Sequence, residues 1–390
     1  MGGTLCSRSR LAYQVTPHDE VVLDHSNAPH STIRDPMSRE LFIDGTRVAD
    51  DTDGFVIAEI GHNHQGDVEH CKHLFDAAAE AGASAVKLQK RDNRVLFTRE
   101  AFDAPYNSEN AYGPTYGTHR EALEFNRDEY IELQQHAKSL GVTFFATAFD
   151  VPSADFLADL DMPAYKMASG DLRSIPLLQY VARIGKPMIM STGAATLEDV
   201  RRAYEAVRPI NPHIAFLQCT ASYPPEYEQL DLRVIETYRR EFPDVVIGFS
   251  GHDSGIAMAT AAYTLGGRII EKHFTLNRAL RGTDHAFSLE PVGLKKLIRD
   301  LQRTKLALGD GTKQFFESEL GPAQKMGKKL VASRDLPAGH VLTAEDIAMK
   351  APGDALFPYH LDDLVGRELG AGVIAEQALA FDLLVEQQPA

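Results

Sequence analysis

Between residues 55 and 309 the sequence alternates short apolar runs with longer helical patterns. This alternation is typical of parallel strands joined by helices. The predicted strands are FVIAEIG (55–61), AVKLQK (85–90), TFFATAF (143–149), AYKMASG (164–170), PMIMSTG (187–193), IAFLQCT (214–220), VVIGFSG (245–251) and IIEKHFT (269–275).

Helical patterns fill the intervals between these strands. Examples are DVEHCKHLFDAAAEAG, RDEYIELQQHAKSLG and TLEDVRRAYEAVRP, and PVGLKKLIRDLQRTKLALG follows the eighth strand. Eight strands and eight helices in about 250 residues predict an α/β fold of the (β/α)8 TIM-barrel type. A doubly wound open sheet is the alternative, but no glycine-rich phosphate loop follows the first strand.

The length of the chain leaves room for more than the barrel. A chain of 390 residues suffices for one barrel and one small domain. The start of the chain is polar and without periodicity, which predicts a loosely ordered tail. The predicted divisions are a tail over 1–40, a barrel domain over 41–315 that opens with a capping hairpin at Asp44–Gly45, a linker over 316–326 and a small domain over 327–390.

Charge and composition exclude several classes of partner. The net charge is −15, which argues against nucleic acid and anionic membranes as partners, since both bind cationic surfaces. The three cysteines are an odd number without metal-ligand spacing, which favours a reducing compartment. No apolar run approaches the roughly 18 residues of a membrane span, and the first residues lack the core of a signal peptide. We expect a soluble, cytoplasmic protein.

The eighth predicted strand carries three ionisable residues where apolar ones are expected. With a period of two, Glu271 and His273 share a face with Ile269 and point into the barrel, whereas Lys272 points toward the helix layer. In a TIM barrel, catalytic groups project from the carboxyl ends of the strands. Glu271 is equally compatible with a structural ion pair.

Polar residues recur at matching depth on other strands. They are Glu59, Lys87, Gln89, Thr147, Lys166, Ser169, Ser250 and, just beyond its strand, His252. Packing alone does not explain polar groups that converge from six strands. The sequence therefore predicts a functional site at the carboxyl-terminal mouth of the barrel.

His252 and His273 lie at the ends of neighbouring strands. A single inward histidine is more often a satisfied core residue than a ligand. Neighbouring strands lie about 4.8 Å apart, however, so both imidazoles can reach one divalent ion. Such an ion keeps positions open for a substrate oxygen, and Lys87, Lys166 and the hydroxyls suit an anion with phosphate and carboxylate groups. The pattern indicates a phosphorylated small anion that meets a metal-polarised carbonyl.

Seven motifs then carry a resemblance to a known family. IAEIGHNHQGD, VKLQK, YKMASGD, FLQCTASYPP, GFSGHDSGIA, EKHFTL and RGTDHAFSLEP, in this order, resemble the N-acetylneuraminate (sialic acid) synthase family. The segment that begins GKKLVASRDLPAGHVLTAEDIAMKAPG resembles the antifreeze-like, β-rich SAF domain of that family. The resemblance covers about residues 41–385. SGH, SLEP and YGPTYGTHREALEF resemble its animal-type branch more than they resemble many bacterial members.

The resemblance implies an enzyme that condenses phosphoenolpyruvate with N-acetylmannosamine or its 6-phosphate, giving N-acetylneuraminate or its 9-phosphate and phosphate. It implies Mn²⁺, or Mg²⁺ or Co²⁺, on His252 and His273. It also implies a homodimer in which the SAF domain covers the partner's barrel mouth. The implied catalytic residues are Glu59, Lys87 and Lys166, and the implied substrate contacts are Gln89, Thr147, Ser169, Tyr223, Ser250, Asp284, Lys350 and Phe357.

The chain departs from many bacterial members of that family at three positions. Asp171 stands where they have Glu, Ala221 where they have Asn, and Ala351 where they have an Arg that reaches the neighbouring site. The acceptor therefore stays open among N-acetylmannosamine, its 6-phosphate, mannose 6-phosphate (for the product KDN) and the dideoxy-diamino sugars of legionaminate or pseudaminate synthesis. Other open readings are a synthase of seven- or eight-carbon keto acids, a pyruvate aldolase and an inactive binding protein.

Overall fold

The computed structural model describes residues 39–386. The predicted N-terminal tail lies outside this range except for its last two residues. One compact unit ends at Ala307 and a second begins at Leu308. None of the described helices is long and apolar enough to cross a membrane.

The first unit is a closed barrel of eight parallel strands preceded by a hairpin. Each barrel strand pairs with the next one in the chain, and the last pairs with the first. This topology confirms the predicted TIM-barrel fold. The hairpin strands are β1 (Glu40–Ile43) and β2 (Thr46–Ala49), and the barrel strands are β3 (Phe55–Gly61), β4 (Ala85–Lys90), β5 (Thr143–Ala148), β6 (Tyr165–Met167), β7 (Met188–Ser191), β8 (Ile214–Cys219), β9 (Val246–Gly251) and β10 (Ile269–His273).

Six of the eight barrel strands are shorter than the sequence predicts, and β6 and β7 are shortened most. β6 stops at Met167 because the chain turns into a 3-10 helix over Ser169–Asp171, where the Asp171 amide donates to the Ala168 carbonyl. β7 begins after Pro187, which has no N–H to donate to a neighbouring strand.

Eight helices surround the barrel, and three short ones lie in the long loop after β4. Capping residues fix several boundaries: Asp67 accepts a hydrogen bond from the His70 amide, and Gly82 ends the same helix at φ 93°. The helices are α1 (Val68–Ala81), α2 (Asn93–Leu96), α3 (Arg99–Asp103), α4 (Tyr116–Glu121), α5 (Arg127–Leu140), α6 (Val151–Asp159), α7 (Ile175–Ala182), α8 (Leu197–Val207), α9 (Val234–Glu241), α10 (Ala257–Thr264) and α11 (Pro291–Leu308).

The strand residues divide between two apolar clusters, as alternation on a barrel requires. Ile270 belongs to the cluster between sheet and helices, whereas Ile269 belongs to the cluster inside the barrel. Leu41 and Ile43 of the hairpin also join the inner cluster and are fully buried. The lower interior is therefore filled with apolar side chains, and polar residues are confined to the other end.

The second unit has a core of its own. Its regular elements are α12 (Leu320–Met326), the antiparallel pair β11 (Lys329–Ala332) and β12 (Ile347–Lys350), and α13 (Leu361–Leu364). Isolated bridges, such as Leu336 with Val373, connect the remaining extended segments. Its buried apolar cluster contains only residues of this unit, Leu330 to Leu384.

Candidate active site

A cavity of about 650 Å³ opens at the carboxyl-terminal end of the barrel strands. Its walls include eleven of the thirteen residues that the sequence predicts for the site. These are Glu59, Lys87, Gln89, Thr147, Lys166, Ser169, Tyr223, Ser250, His252, His273 and Asp284. The other two, Lys350 and Phe357, belong to the second unit, where Lys350 pairs with Glu376 and Phe357 stacks on Tyr359.

Strand register places these side chains at one depth. Glu59 lies opposite Lys87 on the next strand, Thr147 lies opposite Lys166, and His273 lies opposite Glu59. Inward positions at the same height on adjacent parallel strands bring their side chains into contact. The floor of the cavity is therefore a ring of polar groups built by the pairing of the strands.

Two lysines and two glutamates make up the charged part of this floor. Lys87 Nζ lies 2.6 Å from Glu59 Oε2 and 3.8 Å from Glu271 Oε2. Lys166 Nζ lies 3.7 Å from Glu271 Oε1. Glu271 thus bridges both lysines, and the four charges cancel.

Hydroxyl groups hold both lysines and one carboxylate in place. Lys87 Nζ donates to Thr147 Oγ1 at 2.7 Å, and Lys166 Nζ donates to Ser191 Oγ at 2.6 Å. Ser250 Oγ donates to Glu271 Oε1 at 2.9 Å. These donors and hydroxyls form a compact surface that can bind the oxygens of a phosphorylated anion.

The two glutamates differ in acidity because their surroundings differ. Burial raises the pKa of Glu59, and the charge of Lys87 only partly offsets this effect. Burial also opposes ionisation of Glu271, but the charges of Lys166 and Lys87 outweigh it and lower the pKa of Glu271. Burial lowers the pKa of Lys166 as well. Glu59 is therefore the stronger base of the pair and the better group to exchange a proton.

Gly61 allows a close approach of side chains around Glu59. It ends β3 at φ +55°, a conformation that favours glycine. A Cβ at this position would lie 3.2 Å from Gln89 Nε2 and 3.3 Å from Glu59 Oε1. Gln89 Nε2 donates to Glu59 Oε1 at 2.6 Å, so the missing side chain leaves room for this contact.

His252 and His273 stand side by side, with ring centroids 5.4 Å apart. His252 Nδ1 lies 2.9 Å from the Thr220 carbonyl, which can only accept, so Nδ1 carries the hydrogen and Nε2 keeps its lone pair. Within the described chain, His273 Nδ1 is buried without a hydrogen-bond partner, and Asp284 Oδ2 is 3.8 Å away. The free lone pair on His252 Nε2 and the unpaired Nδ1 of His273 fit two ligands that share one divalent ion.

The protonation state of the histidines agrees with metal binding. Burial lowers the pKa of His252 to about 4, and burial also lowers the pKa of His273. Neutral imidazole is the form that ligates a metal. Over residues 39–386 no group of three His, Cys, Asp or Glu residues is arranged to hold an ion. An ion here would keep most of its coordination positions for water and substrate.

Aromatic rings cover the histidine pair. Tyr223 lies 4.1 Å from the His252 ring, and Phe287 lies 5.0 Å from the His273 ring, between centroids. These rings limit access of water to the imidazoles and keep them in position. Lys272, by contrast, forms a buried ion pair with Asp253 at 2.8 Å and does not line the cavity, consistent with its predicted outward direction.

Several residues of the cavity are absent from the sequence prediction. Ser191 and Arg91 lie at or just beyond the ends of β7 and β4, so the rule that found the other polar residues could have found them. Asp171, known from the sequence only as a departure from the family pattern, also lines the cavity, and burial raises its pKa to about 6. Arg120 lies on α4 in the long loop after β4, and no periodicity assigns that loop to the site.

Comparison with known proteins agrees with this geometry. A sequence model of the NeuB family matches residues 74–313, most of the barrel. The chain belongs to the NeuB family. A model of the SAF domain matches residues 329–384 of this NeuB-family chain, so the resemblance inferred from its motifs is confirmed.

Its relatives include enzymes of known product. The N-acetylneuraminate-9-phosphate synthases of Homo sapiens and Mus musculus are 39% and 42% identical to it, over 85% and 76% of this chain and 92% and 82% of theirs. The N,N'-diacetyllegionaminic acid synthase of Legionella pneumophila is 34% identical over 84% of this chain and 94% of its own length.

A solved structure supports the fold assignment. The N-acetylneuraminic acid (sialic acid) synthetase of Leptospira borgpetersenii, crystallised with citrate, superposes with a TM-score of 0.63 and 31% identity. The match covers 73% of this chain and 95% of the Leptospira chain.

Proposed function

We propose that this NeuB-family chain condenses phosphoenolpyruvate with N-acetylmannosamine or its 6-phosphate. The products are N-acetylneuraminate or its 9-phosphate and inorganic phosphate. The observation that carries the proposal is the composition of the cavity. Anchored lysines and hydroxyls lie beside Glu59, whose pKa burial raises, and two neutral histidines complete the same mouth.

The floor of the cavity suits phosphoenolpyruvate. Lys87 and Lys166 supply charged donors, and Thr147, Ser169 and Ser250 supply hydroxyls that can turn toward phosphate or carboxylate oxygens. Because Glu59 and Glu271 already balance the lysines, further positive charge must accompany the anion. A divalent cation in the cavity would supply part of that charge.

We propose His252 and His273 as the protein ligands of this ion, which we expect to be Mn²⁺, with Mg²⁺ or Co²⁺ as alternatives. When bound, the ion would polarise the aldehyde oxygen of the open-chain sugar. Side chains of the barrel would orient the substrates. Asp284, beside His273, can accept hydrogen bonds from sugar hydroxyls, and Tyr223 flanks His252.

The reaction then requires two bond-forming steps. Carbon 3 of the enol attacks the aldehyde carbon, the aldehyde oxygen takes up a proton, and carbon 2 becomes electron-deficient. Glu59 accepts a proton from the water that adds to carbon 2, for which its raised pKa suits it. The adduct finally expels phosphate, which keeps the bridging oxygen, and a 2-keto acid remains.

Quaternary structure and location are part of the proposal. We propose a homodimer in which the SAF domain of one subunit covers the barrel mouth of its partner, with Lys350 or Phe357 near the acceptor sugar. A cover of this kind limits water to the single molecule that the reaction consumes. We expect the enzyme to act in the cytoplasm, where phosphoenolpyruvate is available.

The main alternative is a related synthase with another acceptor. A dideoxy-diamino sugar of the legionaminate or pseudaminate type is supported by the relative from Legionella pneumophila. Mannose 6-phosphate, the acceptor that gives KDN, is a further alternative, since its reaction would use the same cavity floor to bind phosphoenolpyruvate. An inactive binding protein is disfavoured because Glu59, Lys87, Lys166, His252 and His273 are all present in one cavity.

One assay separates these possibilities. The protein is incubated with phosphoenolpyruvate, Mn²⁺ and a panel of free and 6-phosphorylated amino sugars, and phosphate and 2-keto acid are both quantified. We expect equal amounts of the two products, dependent on the acceptor. Release of phosphate without a matching keto-sugar acid, or no release with any acceptor, would reject the proposed function.

A further inference from the structure

The wall of the cavity beyond Gln89 carries two arginines that the proposed reaction does not use. Arg91 follows β4 directly, Arg120 lies on α4, and both line the same cavity as Glu59 and the histidines. Arg91 is only 8% exposed, and its guanidinium stacks on the Phe149 ring at 3.7 Å. Buried arginines are commonly paired with carboxylates. An arginine in this cavity without such a partner would have a positive charge available for a ligand.

Neither guanidinium has a close carboxylate. The nearest acid to Arg91 is Glu124, with Oε1 at 3.9 Å, and Glu124 already pairs with Lys90 at 3.2 Å. Within residues 39–386, no carboxylate oxygen lies within 4.0 Å of the Arg120 guanidinium. Arg120 is held instead by the Tyr116 hydroxyl, at 3.0 and 3.2 Å. Among the described residues, the two arginines and Lys90 share one carboxylate within 4.0 Å, that of Glu124, and Asp171 acts on Arg91 only from farther away.

His62 lies between the two arginines and cannot satisfy both. Its Nε2 is 2.9 Å from Arg91 Nη1, and its Nδ1 is 3.0 Å from Arg120 Nη1. A neutral imidazole has a single lone pair, so one of these contacts joins two N–H donors. Burial first, and then the charges of Arg91 and Arg120, lower the pKa of His62 well below its usual value and keep it neutral. One arginine donor therefore has no acceptor on His62.

These features describe a site prepared for an anion. Burial lowers the pKa of Arg91 to about 10, and the charge of Arg120 acts in the same direction, so the charged Arg91 guanidinium is destabilised until a negative group joins it. Two planar guanidiniums with free donors suit a phosphate monoester, a dianion with three terminal oxygens.

We propose that Arg91 and Arg120, with His62 between them, bind the phosphate of a 6-phosphorylated acceptor sugar. This inference rests on the proposed function and names the acceptor class that the function leaves open. Phosphoenolpyruvate itself has its donors on the floor, and the Gln89 amide separates the two sets: it accepts from Arg91 Nη2 at 2.6 Å and donates to Glu59 Oε1 at 2.6 Å. A sugar with its aldehyde at the histidines and a phosphate at its far end would span this separation.

The test compares Arg120→Gln and Arg91→Gln with a matched control, Arg94→Gln. Arg94 lies on the same loop and carries the same charge, but it is exposed, pairs with Glu121 at 3.0 Å and does not line this cavity. Binding of N-acetylmannosamine 6-phosphate is measured by calorimetry. We expect Arg120→Gln to weaken it about 10- to 100-fold, the usual range for a lost hydrogen bond to a charged group, and Arg120→Lys to restore part of the affinity.

Kinetics give a second readout. For Arg120→Gln, the ratio of kcat/KM with the 6-phosphate to kcat/KM with the free sugar should fall by about the same factor. Equal losses with both acceptors, an effect of Arg94→Gln as large as that of Arg120→Gln, or no binding of the 6-phosphate by the unchanged protein would overturn the proposal.

If Arg91→Gln fails to fold, the variants of the half-buried Arg120 still test the proposal. If no acceptor is turned over, the proposed function fails, whereas calorimetry continues to test the arginine site.

Discussion

At the scale of single residues, the cavity assigns different tasks to chemically similar groups. Glu59 and Glu271 are both buried on inward positions of adjacent strands, yet burial dominates for Glu59 and the lysine charges dominate for Glu271. Glu271 stays ionised and holds Lys87 and Lys166 together, as the structural ion-pair interpretation predicts. Glu59 is left with a raised pKa, as the proposed proton transfer from water requires.

Glu59→Gln tests this division of tasks. The amide keeps the shape of the side chain but cannot take a proton, so we expect kcat to fall roughly 100-fold or more. Binding of phosphoenolpyruvate, measured by calorimetry, should change little because Lys87, Lys166 and the hydroxyls remain. A variant with unchanged kcat and a higher KM for phosphoenolpyruvate would show that Glu59 is a structural carboxylate.

His252→Ala and His273→Ala test the metal site. Each removes one proposed ligand and little of the apolar core, so we expect folded protein without turnover. A chelator should abolish turnover of the unchanged enzyme reversibly, and bound Mn²⁺, measured by metal analysis, should be lost from both variants. His64→Ala is the control, since His64 is buried against Phe125 and does not line the cavity. Full activity in chelator, or in either ligand variant, would contradict the metal's role.

At the scale of elements, register determines which polar side chains meet. The period of two on parallel strands predicts that Glu59, Lys87, Thr147, Lys166 and His273 face one cavity, and the strand pairs bear this out. Strand ends are less predictable, because Ser169–Asp171 leaves the sheet for a 3-10 turn. Such a turn depends on local hydrogen bonds that apolar patterning does not encode.

Loops carry the part of the cavity that the sequence does not reveal. Arg120 reaches the cavity from a helix of six residues in a long loop, and its Nη1 lies 3.0 Å from Nδ1 of His62, which is 58 residues earlier. Contacts between residues so far apart in the chain follow from the folded arrangement and leave no periodic signal. Arg91 lies one residue past β4. The rule that polar residues at the ends of strands face the cavity would therefore include it if it were extended by one position.

The hairpin β1–β2 offers a test of how the barrel is closed at its other end. Ile43 is fully buried in the inner cluster, and we expect Ile43→Ala to reduce the free energy of unfolding by about 2–5 kcal/mol. Phe42, its neighbour, is 48% exposed, so Phe42→Ala should change the free energy of unfolding by about 0.5 kcal/mol or less. Urea unfolding measures both. Equal effects would mean that the hairpin does not pack into the barrel.

At the scale of the whole molecule, the chain combines a barrel that contains the reactive groups with a small domain that has a separate core. All cavity residues belong to the first unit, and the buried cluster of the second unit contains none of them. The net charge of −15 does not attract anions, so the proposed function relies on local cations such as Lys87, Lys166 and Arg91 to bind the anionic substrates.

Removal of residues 327–390 tests the role of the small domain. Because the barrel has its own core, we expect the truncated protein to fold and to bind phosphoenolpyruvate, with an affinity measured by calorimetry. Condensation should be very slow because the partner's SAF domain would no longer cover the mouth. Full turnover by the truncated barrel, or sedimentation of the intact protein as a monomer at assay concentrations, would refute the proposed cover.

The fate of one oxygen atom tests the central chemistry most directly. In the proposed reaction water adds to carbon 2, and phosphate leaves with the oxygen that joined it to the enol. With phosphoenolpyruvate carrying ¹⁸O at this bridging position, an acceptor and Mn²⁺, mass spectrometry should find the label in the released phosphate. Unlabelled phosphate would mean that the phosphorus–oxygen bond breaks, as in hydrolysis to an enolate followed by aldol addition, and would contradict the account of Glu59 and the cavity.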